Sequence, residues 1–238
     1  MTISRFVFAS LLAASLAAPA LAAPRPDPAL NAQALDILKR GIAFRTVAGG
    51  DQMVPYAMYL KGLLVAGGYR TDEITIEPMA GTAFLIARYP GTDPKKKPII
   101  VSGHMDVVEA RPEDWSRDPF TPVLEGGYIY GRGATDNKFS VSMMVATLAK
   151  LRRQGWKPGR EVILALSGDE ETVMATTAVM AQRLKGAEMV LNIDGGGGTI
   201  KDGKAVSYGV QGAEKTYADF AVTVTDPSSK LCPSAALT

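Results

Sequence analysis

The chain has 238 residues, 47% hydrophobic and 21% charged, with a formal net charge of +2, the composition of a globular protein of one large domain or one and a fraction. The near-balance of charge excludes the basic profile of a nucleic-acid binder. A single cysteine, Cys232, excludes an internal disulfide, and any metal site must therefore rest on histidine and carboxylates.

In chain order, Met1–Arg5 carries one positive charge, Phe6–Ala18 is an Ala/Leu-rich apolar run, and Ala20-Leu21-Ala22 is a small-x-small pattern. This predicts a Sec-type signal peptide over residues 1–22, with cleavage near Ala22 or Ala23. The mature protein is then expected to be periplasmic or secreted and free of the membrane. A Pro-rich tether follows. Asp27 can cap a helix with Pro28 at its first position, and Leu30, Leu35, Leu38 and Ile42 mark one helical face through Phe44. A second helix is predicted over Met53–Val65, closed by Gly67-Gly68.

Ile74–Ile76 and Ala83–Tyr89 read as strands, and Gly91–Lys97 is a solvated turn with three successive lysines. The short apolar run Ile99–Val101 breaks at Ser102-Gly103, and an ordered loop spans Glu109–Phe120. Tyr128–Tyr130 is strand-like and leads into G-R-G-A-T-D-N-K. Ser140–Arg153 shows helical spacing at Val141, Met144, Val145, Leu148 and Leu151, with Met143 and Met144 as core fillers. Strand Val162–Leu166, a helix near Thr176–Leu184, strand Met189–Ile193 and a Thr199–Val210 hairpin complete the pattern. Alternating strands and helices imply an α/β fold with a mostly parallel, helix-covered sheet.

Three of the apolar runs end in polar ligands. Ile99–Val101 is followed by S-G-H-M-D, which holds the only histidine, His104, and Asp106. Val162–Leu166 is followed by S-G-D-E-E, and Met189–Ile193 by Asp194 and four glycines. Ligands of open α/β sheets bind outside the carboxyl ends of the strands. His104, Asp136, Glu170, Glu171 and Asp194 thus supply one imidazole and four carboxylates suited to zinc, with cobalt or manganese as substitutes.

Four such carboxylates repel one another unless cations sit between them, and two divalent ions about 3.5 Å apart would activate a bridging water. Asp106 is placed to hydrogen-bond the far nitrogen of His104 and fix its tautomer. Of Glu170 and Glu171, one can ligate while the other takes the water's proton, and the pattern leaves open which does which. Each feature also has a plainer reading. Asp136 can be the N-cap of the following helix, the two glutamates first-turn acids, and the glycines after Asp194 a phosphate nest.

The four motifs S-G-H-M-D-V-V, G-R-G-A-T-D-N-K, S-G-D-E-E-T and N-I-D-G-G, in that order, resemble the M20 family of co-catalytic zinc metallopeptidases. The segment W-S-R-D-P-F-T-P is similar to one that family carries before its G-R-G motif, and the resemblance covers about Ala29 to Thr225. It implies two zinc ions and hydrolysis of a small peptide or an N-acyl amino acid. His104 would bind one metal with Asp106 orienting it, Asp136 would bridge both metals, and Asp194 would complete the first set. Glu170 matches the general base and Glu171 a ligand of the second metal.

The resemblance also implies a catalytic domain over residues 28–213 and the start of a smaller inserted lid or dimerisation domain over 214–238, with Tyr217–Thr225 as its first strand. The family's later histidines have no counterpart in a chain with one histidine, which is expected to be truncated at the C-terminus. The alternative is a non-catalytic metal-binding fragment, and a homodimer is expected only of a full-length form.

Overall fold

The computed structural model describes residues 27–195, 197–213 and 220–223. The expected signal peptide lies outside them. Of the strand expected over Tyr217–Thr225, only residues 220–223 are described, and they carry no regular structure.

Helix α1 runs Pro28–Ala43, where Asp27 accepts from the Leu30 amide at 3.0 Å and proline occupies the first turn. Helix α2 is Met53–Ala66. Gly68, at φ +99°, takes the left-handed conformation that closes α2. Gly67 serves a different purpose. A Cβ there would lie 2.5 Å from the Cβ of Ala149, so the glycine lets α2 approach its neighbour closely.

Strands β1 (Ile74–Met79) and β2 (Thr82–Tyr89) form an antiparallel hairpin, and β3 covers Ile99–His104. The expected break at Ser102 does not occur, because Ser102, Gly103 and His104 pair in register with Ala165, Leu166 and Ser167. Strands β4 (Val123–Glu125) and β5 (Tyr128–Tyr130) make a small separate hairpin. Helix α3 is Lys138–Arg153, β6 is Val162–Ser167, α4 is Ala175–Arg183 and β7 is Met189–Asn192. The hairpin of β8 (Gly197–Lys201) and β9 (Lys204–Gly209) turns at Asp202-Gly203 as the sequence indicates.

The main sheet has the order β1-β2-β6-β3-β7. Its centre, β6-β3-β7, is parallel, and the β1–β2 hairpin joins it antiparallel through β2 and β6. One face packs on α1, α2 and α3 through Tyr56, Leu60, Leu64, Leu85, Val101, Val145 and Leu164. Phe84, Ile86, Ile100 and Ile163 fill the other face beneath Met180 and Leu184. Met143 and Met144 pack at the margin of the first cluster. Neighbouring residues of β3, Ile100 and Val101, enter opposite clusters, as the two-residue period of a strand requires. Because β6, β3 and β7 run in one direction, their carboxyl ends emerge together.

Candidate metal centre

His104 is the last residue of β3 and is 1% exposed. Its Nδ1 lies 3.0 Å from the backbone carbonyl of Asp106, and since a carbonyl only accepts, Nδ1 carries the proton. Nε2 therefore faces the opposite way, 2.9 Å from Asp136 Oδ1 and 3.4 Å from Asp194 Oδ1. The Asp106 carboxylate stands at 3.4 Å from Nδ1, and its Oδ2 accepts the Glu171 amide at 2.9 Å. Both the carbonyl and the carboxylate of Asp106 thus face the far nitrogen, the carbonyl at the shorter distance.

Asp136 is not a helix cap. Helix α3 begins at Lys138 behind Asn137, and the Asp136 side chain is 64% exposed at the mouth of the site. Glu170 and Glu171 lie in the turn between β6 and α4, five and four residues before α4 starts, so they are not first-turn acids either. Among the described residues, two overlapping groups bring ligand atoms within 4.8 Å of one another: His104, Asp136 and Glu171, and His104, Glu170 and Asp194. All five donors expected from the sequence are brought together.

The protein's own charges are strained in this arrangement. Burial alone would lower the His104 pKa, but the hydrogen bond and charge of Asp106, with Asp194 and Asp136 adding to it, push it up to about 10. Burial raises Glu170 and Glu171, and the carboxylates around them raise both further. Asp194 is raised first by burial and then by Asp136. Burial also opposes the charge on Asp106, yet the His104 hydrogen bond and the Glu171 amide hold it below the usual range. One imidazole among carboxylates that resist joint ionisation is a donor set that divalent cations fit.

Three residues that support this centre escape sequence reasoning. Asn137, 2% exposed, donates to Ile193 O at 3.1 Å and to Asp194 Oδ1 at 2.9 Å, tying the end of β7 to the start of α3. Gly103 makes room for it, since a Cβ there would stand 2.7 Å from Asn137 Oδ1. Lys138 is fully buried and donates to Gly41 O at 3.0 Å and Phe44 O at 2.6 Å at the end of α1. Asp169 turns away from the donors and accepts the Ala175 and Thr176 amides at 2.8 and 3.0 Å, capping α4. The only signal was their place inside the motifs, where they read as ordinary turn and helix-start residues.

The sequence signature of Peptidase family M20/M25/M40 matches residues 100–236, more than half of the chain. The chain belongs to this family. Among curated M20 relatives, mouse N-fatty-acyl-amino acid synthase/hydrolase PM20D1 is 42% identical over 81 residues, which cover 34% of this chain and 16% of that protein. Succinyl-diaminopimelate desuccinylase of Delftia acidovorans is 39% identical over 88 residues, covering 37% of this chain and 23% of the relative.

Two solved structures share the fold. The dipeptidase Dug1p of Saccharomyces cerevisiae matches with a TM-score of 0.60 at 23% identity, over 73% of this chain and 40% of that one. The M20 metallo-carboxypeptidase Sso-CP2 of Sulfolobus solfataricus matches at 0.58 and 24% identity, over 69% and 38%. The matched part of the chain thus spans less than half the length of these relatives. No helix among the described residues is long and apolar enough to cross a membrane.

Proposed function

We propose that the protein is a metal-dependent hydrolase of peptide or amide bonds. The observation that carries this is the convergence of His104, Asp136, Glu170, Glu171 and Asp194 at the parallel strand ends, in two ligand groups that share His104. His104, Asp136 and Asp194 would hold one divalent ion, and Asp136 with Glu171 a second. Zinc is the metal of choice for this donor set, with cobalt or manganese as substitutes. Bound there, such ions polarise the scissile carbonyl and acidify water.

The chain's own part is proton handling and alignment. Glu170, whose carboxyl is raised by burial and by neighbouring carboxylates, accepts a proton from the attacking water and returns it to the leaving amine. His104 presents Nε2 to the centre because Nδ1 is engaged by the Asp106 carbonyl. Asp136 lies at the exposed rim, where a substrate would enter.

Small peptides and N-acyl amino acids are the proposed substrates, in keeping with relatives named as a dipeptidase, a desuccinylase and an N-fatty-acyl-amino acid synthase/hydrolase. Such names favour hydrolysis over metal binding without turnover. Export of the mature chain to the periplasm or medium is part of the same proposal, checked by N-terminal sequencing of the secreted product.

The deciding test is Glu170→Gln in the zinc-loaded protein, assayed on a panel of dipeptides and N-acyl amino acids. Turnover should fall by about 10²-fold or more with metal content retained. Undiminished turnover would overturn the assignment of Glu170. No turnover by the parent at full metal occupancy would overturn the hydrolase reading.

A further inference from the structure

We infer that Thr46 is a positioning residue for the metal centre, holding the chain that carries Asp106 where β3 leaves the sheet. Thr46 follows α1 in the run F-R-T-V, ahead of the residues that match the family signature, and is 1% exposed. Among the described residues, pairing of β3 ends at Ile193 N–H to Ser102 O on the β7 side and at Met105 N–H to Ser167 O on the β6 side, both 2.8 Å. Beyond that point Thr46 takes over. Its hydroxyl donates to Met105 O at 2.7 Å, and its carbonyl accepts the Val107 N–H at 3.1 Å. These two bonds bracket Asp106, whose carbonyl and carboxylate both face His104 Nδ1.

The same segment grips the other side of the centre. Lys138, two residues after Asp136, donates to Gly41 O and Phe44 O at 3.0 and 2.6 Å. Gly41–Thr46 is therefore bonded to both arms of the centre, and Nε2 of His104 on one arm stands 2.9 Å from Asp136 Oδ1 on the other. Met105 O is buried beneath Thr46, so loss of the hydroxyl leaves a carbonyl that must move to find another donor. Such a move displaces Asp106 and with it the imidazole. The functional meaning rests on the proposed metal centre.

The experiment compares the parent with Thr46→Val and Thr46→Ser. Valine keeps the shape of threonine without the hydroxyl, and serine keeps the hydroxyl without the methyl. Chelator competition measures zinc affinity, and NMR of the metal-free protein follows the Nδ1–H of the chain's only imidazole. Folded Thr46→Val should bind zinc about tenfold or more weakly and exchange the Nδ1 proton about tenfold faster. Thr46→Ser should stay within about twofold of the parent in both. A purely structural role would lower the denaturation midpoint of Thr46→Val and leave both readouts of the folded protein unmoved.

Parent-like values for folded Thr46→Val would overturn the inference. So would Thr46→Ser as impaired as Thr46→Val, since the effect would then belong to the methyl. If Thr46→Val does not fold, Thr46→Ser decides alone: parent-like zinc affinity and Nδ1–H exchange support the assignment, and a loss of about tenfold in a folded protein refutes it. A parent that binds no zinc would refute the metal centre, and the Nδ1–H comparison would still decide the role of Thr46.

Discussion

Replacing Lys138 by methionine should turn a nearly flat stability–pH profile of the metal-free protein into a falling one. Lys138 Nζ is buried, and burial lowers its pKa from 10.5 to about 7, against the pull of Asp106. Its neutral amine still has two protons for the carbonyls of Gly41 and Phe44. Between about pH 7 and 10.5 the unfolded chain holds this proton and the folded chain does not, so stability rises with pH by up to about 1.4 kcal/mol per unit. His104 acts in the opposite sense. Its folded pKa of about 10 lies above the ordinary 6.5, so its contribution is complete below that value and is lost as pH climbs to 10.

The two slopes nearly cancel in the parent. Methionine fills the site, removes the lysine term and leaves that of His104, so stability should drop by about 3 kcal/mol between roughly pH 7.5 and 9.5. A further loss of about 1–3 kcal/mol, from two carbonyls deprived of their donor, is independent of pH and shifts the whole curve. Urea unfolding of chelator-treated parent and variant across that range measures both quantities. A variant profile as flat as the parent's would refute the opposed titrations.

Three further outcomes are expected. Asn137→Ala severs the ties to Ile193 and Asp194 and should weaken zinc binding by about 10- to 100-fold in chelator competition, with helix content unchanged. Gly67→Ala drives a methyl against Ala149 and should cost about 1–3 kcal/mol in chemical denaturation, partly restored by adding Ala149→Gly. Asp169→Ala uncaps α4 and should lower stability by about 1–2 kcal/mol, read by denaturation, with faster amide exchange at Ala175 and Thr176.

The donors were legible in the sequence because their chemistry is conspicuous: acids and the only histidine directly after apolar runs. The parallel centre of the sheet was legible for a related reason, since strands buried on both faces read as continuous apolar segments such as Ile163–Leu166. The antiparallel attachment of β1 and β2 was not, because pairing direction leaves no mark in a single strand's composition. The end of β3 was misplaced for a local reason. Ser102 and Gly103 look like a break, yet Gly103 is needed within the strand to admit Asn137. Asn137, Lys138 and Asp169 went unnoticed because polar residues beside a helix start are expected whether or not they reach another element.

The register of β3 has a consequence for how this gene can vary in length. His104 stands opposite Ser167, and Ser102 opposite Asn192, so the position of the imidazole is counted in residues from the start of the strand. Deleting one codon between Ile99 and His104 would put every strand residue beyond the deletion on the opposite face and aim the imidazole at the wrong side of the sheet. The same deletion in the lysine-rich turn before the strand would be absorbed by exposed chain. Insertions and deletions in descendants of this gene should therefore gather before Pro98 and spare the six residues that follow it.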